Sequence, residues 1–463
     1  MASSSLTIAA TVATLLTSLC VTLTYTRATP DATLSRNKTS GYRGYRGYGV
    51  QDAWGSIMWT RFPMEAFPLY LTPYIEAGKI EEESYSGYIT VDKRYQSNMF
   101  FWFFPAEVPD GAPVLLWLNG GPVKRREISW TKLFSMIYVD NPVGVGYSYT
   151  RDDAGLSTSM DDVSRNLYSV LTQFFKMFPE FSENEFYIGG QSYAGKYVPS
   201  LGYYIHQQNH GQHPPDVHIN FKGIYLGAGY CSPEKMMPVF PDFLFNMGFI
   251  SDYRRRELRE TYTKLIRDGL SGKNLLSPSE YLHRFFSKPS YSANHVLGSE
   301  ATVTSKLHLV DIWMNEASTR AALHVAWARY PKVYAHSYVV RNSLKHEFLQ
   351  DTVRENAFLM DNYKVLHYSG NLDVIVNVPM TEAFLSSVPW SGQAAYNRSD
   401  LTPWWIGKVV GYFTQIANFT RVIVRNSGHM LPYDTPEWAL KMMERFVFDI
   451  PFETNAHYMD YYS

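Results

Sequence analysis

The 463-residue sequence predicts an α/β fold, with a mostly parallel central sheet flanked by helices and a helical cap inserted between two strands. Three observations predict it. Short apolar runs such as Pro113–Leu118 and Phe186–Ile188 lack polar alternation and read as strands buried on both faces, as parallel sheets demand. Glu183 to Ser200 reads as strand, tight small-residue turn and helix, with Ser192 at the apex. Two later strand-like runs, 364–368 and 420–425, end in polar loops carrying Asp373 and His429. Ligands of open α/β sheets bind beyond the carboxyl ends of the strands.

Taken in order, residues 1–26 contain no Lys, Arg, Asp or Glu, and Leu6 to Thr24 is apolar and small. This stretch reads as a signal peptide, with a signal anchor as the alternative. Its many Thr and Ser residues make a poor membrane span, so no stable span is expected in the mature chain. Residues 27–83 are expected to be a disordered or pro-segment-like extension, because the Gly-Tyr-Arg repeats of Gly41–Tyr48 cannot bury a face. The first part of the core is assigned to 84–229. Ser86–Val91 and Asn98–Phe104 open it as an antiparallel pair, and Pro113–Leu118 and Phe134–Val139 follow as buried strands. Ser159–Phe178 keeps Val163, Leu167, Val170, Leu171, Phe174 and Phe178 on one helical face, and Pro179 ends it. Phe221–Leu226 is the next strand. Residues 230–362 form the cap insertion, with helical patterns at Phe240–Met247, Asp252–Ile266, Leu307–Glu316 and Ser318–Ala328. The second part of the core is 363–463, closed by a helix at Thr435–Phe448 with Thr435 as N-cap and Pro436 in the first position.

Composition excludes several classes. Hydrophobic residues are 45% and charged ones 18%, which marks a globular chain. A net charge of −1 offers no attraction for nucleic acid. No dinucleotide fingerprint or P-loop occurs, so no cofactor is expected. His206, His210, His213 and His218 have no Cys or Glu among them and are interrupted by Pro214-Pro215, so no metal site is expected. Of the two cysteines, Cys20 lies in the leader; Cys231 is then a buried thiol without an intrachain partner. Asn37, Asn397 and Asn418 stand in glycosylation sequons, relevant if the chain enters the secretory route. Arg254-Arg255-Arg256 reads as a solvated helix face, with a processing site as the alternative.

The residue types and their order carry the chemistry. Ser192, Asp373 and His429 follow one another in the order of α/β-hydrolases. Ser192 would attack a carbonyl and His429 would take its proton. Asp373 would hold the imidazole tautomer. The N–H of Tyr193, directly after the nucleophile, would be one oxyanion donor, and the turn after the Val114–Leu118 strand should supply the other. Several stretches resemble motifs of the serine carboxypeptidase family: Gly190–Pro199, Val114–Pro122, Tyr138–Ser148, Gly370–Asp373 and Gly428–Pro432. Ser86–Asp92 and Asn98–Pro105 look closest to its vitellogenic-like branch. The resemblance implies release of C-terminal residues from peptide or protein substrates through an acyl-enzyme, and a secreted or lysosomal location. It points to Gly121 as the second oxyanion donor. It also matches Asn119, Gly120 and Gln191 to positions that hold the substrate's terminal carboxylate. A homodimer is allowed.

Two departures stand out. Gln191 occupies the position of a family glutamate and cannot titrate. After Pro122 the family continues with a glycine, a serine pair, a helix and a loop bearing a second acid. Here Val123-Lys-Arg-Arg-Glu-Ile-Ser-Trp130 follows at once. The stretch left between the two strands barely exceeds the roughly dozen residues that a parallel crossover needs. Two readings follow: an active serine carboxypeptidase, or a catalytically weak homologue acting as a secreted binding or storage protein. An acyltransferase on the same scaffold is a third.

Overall fold

The computed structural model describes residues 84–118, 128–213, 215–272, 311–325, 333 and 337–454. The expectations for residues 1–83, and for Asn119, Gly120 and Gly121, fall outside the described residues. The apolar runs become strands of one twisted sheet. They are β1 (Tyr85–Asp92), β2 (Ser97–Phe104), β3 (Val114–Leu118), β4 (Ser135–Val139), β5 (Phe186–Gln191), β6 (Phe221–Gly227), β7 (Lys364–Gly370), β8 (Thr402–Trp405), β9 (Val409–Ile416) and β10 (Phe419–Val424). Their spatial order is β1-β2-β4-β3-β5-β6-β7-β10-β9-β8. The central run from β4 to β10 is parallel, and antiparallel strands close both ends. The sheet is therefore mixed but mostly parallel, as expected.

Alternation along the central strands divides the core into two layers. Val114, Leu116, Leu118, Phe186 and Ile188 join the first apolar cluster, and Leu115 and Tyr187 join the second. Both sets are buried, which is why these strands read as unbroken apolar runs rather than as alternating ones. Four helices meet the first face: α1 (Met160–Met177), α2 (Ala194–Asn209), α5 (Val353–Asn362) and α6 (Val378–Leu385). The Ser159 hydroxyl caps α1 by accepting from the Asp162 N–H at 3.1 Å. Between α2 and α5 lie α3 (Phe240–Asn246) and α4 (Asp252–Leu270), where the insertion was expected to be helical. Ala317–Ala322 is a shorter helix than the 318–328 pattern suggests. The second face is covered by α7 (Pro436–Phe448) and by Trp313, Met314, Leu323 and Val325.

All the parallel strands run the same way, so the ends of β5, β7 and β10 open on one edge. Beyond them lie Ser192, Asp373 and His429 respectively.

Candidate active site

Ser192 sits at a strained corner. Its φ is +63°, in the left-handed region that side chains disfavour, at the step from β5 to α2. The corner is held by the backbone. The Ser192 N–H donates to Gly227 O at 3.1 Å, and the Ser192 carbonyl accepts from Gly195 N–H at 3.0 Å and Tyr230 N–H at 2.8 Å. Gly195 has to be glycine here, since a Cβ would lie 2.5 Å from Tyr230 N and 2.8 Å from Gly229 C. The Tyr193 N–H, first beyond the serine, has no main-chain acceptor among the described residues and lies at the helix N-terminus.

Asp373 and His429 meet. His429 Nδ1 lies 2.9 Å from Asp373 Oδ2, with Asp373 fully buried and His429 nearly so. The other carboxylate oxygen accepts from Ile375 N–H at 2.8 Å and Val376 N–H at 3.2 Å, which fixes the acid's orientation. The loops that carry the pair are joined: Asn371 N–H donates to Val424 O at 3.0 Å and Leu372 N–H to Ser427 O at 2.9 Å. Gly370 permits that approach, because a Cβ there would lie 2.2 Å from Ser427 O. The Gly428 N–H donates to Asp434 Oδ2 at 2.8 Å and steadies the histidine loop.

Gln191 joins the two halves. It is buried beside Ser192, and its side-chain amide donates to the main-chain carbonyl of His429 and lies 3.5 Å from Met430 Sδ. Its Oε1 has no partner among the described residues. The residue matched to a carboxylate-binding position thus also anchors the histidine loop. The Ser192 hydroxyl makes no hydrogen bond among the described residues, so serine and histidine are linked here through Gln191 and its backbone. Catalytic hydrogen bonds commonly tighten only when substrate binds.

Cys231 is a free buried thiol, pushed up to about 12 by burial. His367, within β7, is buried, and burial, reinforced by Arg421, pulls it down to about 3. His206 Nδ1 lies 2.7 Å from Tyr363 OH and its ring stacks on His210, so this pair serves packing. No cluster that could hold a metal occurs among the described residues. Nor does any helix there have the length and apolarity to cross a membrane. Asn397 and Asn418 are exposed, and Asn37 lies outside the described residues.

Sequence reasoning missed two charged groups. Asp140 directly follows β4 with its carboxylate turned toward the next bend: Oδ2 accepts from Tyr147 N–H at 2.8 Å and faces Gly146. Burial raises it to about 7. Lys196, in the first turn of α2, is 1% exposed, and burial lowers it to about 8. A signal for Lys196 existed: it is the only Lys, Arg, Asp or Glu in α2, placed where the helix dipole disfavours a cation.

Comparison with known proteins agrees with this frame. The family model described as serine carboxypeptidase matches residues 73–123 and 123–449, in two segments that meet at Val123. The human probable serine carboxypeptidase CPVL is 36% identical over 436 aligned positions, covering 82% of this chain and 90% of the relative. The vitellogenic carboxypeptidase of Aedes aegypti is 33% identical over 436, covering 82% and 89%. In fold, the chain is similar to Kex1(Δ)p, a prohormone-processing carboxypeptidase from Saccharomyces cerevisiae. The TM-score is 0.70 at 18% identity, covering 81% of this chain and 93% of that one.

Proposed function

We infer the mechanism from one premise: this chain belongs to the serine carboxypeptidase family and is a serine-type carboxypeptidase, a hydrolase acting on peptides. Ser192 is the nucleophile, His429 the general base and then acid, and Asp373 the group that holds the imidazole. The observation that carries this reading is the 2.9 Å Asp373–His429 contact on two joined loops, next to the strained Ser192 corner. Attack on the scissile carbonyl forms a tetrahedral oxyanion, met by the Tyr193 N–H and by a second donor at Gly121. His429 passes its proton to the leaving amino acid, and water then cleaves the acyl-enzyme by the same route. Asn119, Gly120 and Gln191 receive the substrate's C-terminal carboxylate.

The turn that carries Gly121 is shorter than in relatives, and the activity is correspondingly reduced. Two findings support this. The family match breaks at Val123. The 436 aligned positions with the human relative also exceed what 82% of this chain can fill, so dozens of them have no counterpart here. The same findings favour a second reading, a catalytically weak homologue that binds or stores rather than cleaves. The leader and the exposed Asn397 and Asn418 fit passage through the secretory route to a secreted or lysosomal destination, with glycans at these sequons and at Asn37. Fluorophosphonate labelling separates the two readings. Covalent label on the peptide containing Ser192 is expected, and a chain that takes up none is a binding protein.

A further inference from the structure

Lys196 is a buried cation that the hydrolysis does not use. Its ammonium donates to the main-chain carbonyls of Cys231, at 3.2 Å, and of Gln350, and it lies 5.4 Å from the centre of the Tyr230 ring. No carboxylate forms an ion pair with it among the described residues. The charged and titratable groups around it are Glu347 and Asp351 on the segment entering α5, Glu355 on α5 and the Cys231 thiol after β6. The same segment is tied to the nucleophile's helix by Thr352. Its hydroxyl donates to Gly195 O at 2.9 Å and its N–H to Cys231 O at 3.0 Å. Within that segment, Phe348 stacks on the Tyr193 ring with centroids 6.4 Å apart and planes 11° apart, and packs on Tyr230 at 5.2 Å. Behind the segment lies a cavity of about 410 Å³, lined by Lys196, Ser200, Glu347, Asp351, Arg354 and Glu355. Phe348 and Leu349 bury one side of the segment in the core, whereas on the cavity side it is held by hydrogen bonds.

We propose that Lys196 is a positioning residue: it clamps residues 348–352 and the 229–231 turn to the first turn of α2, and thereby fixes the direction of the Tyr193 N–H. This role rests on the reading of Ser192 as nucleophile and Tyr193 as oxyanion donor. Donors of this kind work by pre-aimed geometry, so a small rotation is felt in the chemical step and hardly in binding. Stability moves differently. Burial holds the Lys196 ammonium below its ordinary value, so its charge costs stability below about pH 8, and that cost fades as pH rises towards the ordinary lysine value. Gln350 is an exposed residue whose carbonyl can turn to water once the lysine is gone, and Cys231 O keeps the Thr352 N–H.

The test compares wild type, Lys196→Met and Lys196→Arg by phosphonylation rate, by kcat and KM on a blocked dipeptide, and by melting at pH 6. For Lys196→Met, kcat and the phosphonylation rate should fall about 10-fold or more with KM within about 2-fold, as for a displaced catalytic group. Its melting temperature should be no lower than wild type, since an apolar replacement of a buried charge is often neutral or stabilising. Lys196→Arg should recover part of the rate. If Lys196→Met does not fold, Thr352→Val, which cuts the link to Gly195, should give the same split. Unchanged rates in Lys196→Met would overturn the proposal. So would rate losses matched by equal losses of melting temperature in both variants. A wild-type chain that takes no label removes the nucleophile and this role together, whereas equal labelling of wild type and Lys196→Met removes only the role of Lys196.

Discussion

At the end of β5 the chain is pinned from every side, whereas at the ends of β3 and β4 the cover is thin. Ser192 has its N–H and its carbonyl bonded to neighbouring strand and turn, and Tyr187 on β5 is 0% exposed on the second face of the sheet. On that same face Tyr138 of β4 is 36% exposed and Trp117 of β3 only half-buried. Trp130 packs over Trp117 at 5.4 Å and reaches Tyr225 at 5.9 Å. Among the described residues, the rings that pack on these two side chains include Trp130 on Trp117 and Phe104 on Tyr138, where a central strand pair would ordinarily meet a helix. The proposal that the serine corner and the turn after β3 contribute separately to activity rests on this contrast between β5 and the β3–β4 pair.

The largest effect expected from breaking this contrast is on the nucleophile side. Ser192→Ala should lower kcat on the order of 10⁶-fold, as removal of a serine nucleophile does elsewhere, while leaving the melting curve intact. Loss of fluorophosphonate label in this variant, measured by peptide mass, locates the reaction. Next comes Gly195→Ala, which drives a Cβ into Tyr230 N and should cost roughly 1–3 kcal/mol in denaturant unfolding. A neutral result would mean that the corner is looser than its contacts imply.

Asp140 sharpens the comparison from the β4 side. Its folded value, raised by burial to about 7, exceeds the unfolded carboxylate value, so the folded state binds the extra proton. Stability should then be highest at acid pH and fall as pH rises from about 4 to about 7. Unfolding at pH 4.5 and 7.5 should show this loss in wild type and a smaller one in Asp140→Asn. Equal losses would place the slope elsewhere. The smallest effect concerns Gln191. A carboxyl pair that must keep a proton makes activity fall above acid pH, because like charges resist joint ionisation. Gln191 cannot take part in such a pair, so kcat/KM should fall little between pH 5 and 7. A steep fall that vanishes in Gln191→Ala would contradict this.

How much could be read from the sequence depended on what each residue faced. The central strands were visible because burial on both faces keeps them apolar throughout, as in Val114–Leu118. The antiparallel β8 and β9 were not foreseen. They lie at the sheet's edge, with Pro403 and Gly411 interrupting and Tyr412 and Gln415 exposed. The placement of Ser192, Asp373 and His429 beyond β5, β7 and β10 was readable because each follows a strand-like run. The bonds from Gln191 to the His429 carbonyl and from Lys196 to the carbonyls of Cys231 and Gln350 were not, since they reach main-chain groups brought close only by folding. Asp140 lay inside a motif already noticed, but the direction of its carboxylate depends on the bend to Gly146.

The most direct test of the contrast between the two halves restores the turn. The segment that the family pattern is expected to have at this place is inserted after Pro122, and kcat/KM on one blocked dipeptide is compared with that of the present chain, with Ser192 labelling followed in both. Labelling in both chains is expected, with peptide hydrolysis rising by roughly 10²–10³, the effect of one oxyanion donor. Equal rates of hydrolysis in the two chains would contradict the account, since the turn would then need no support from the inserted segment.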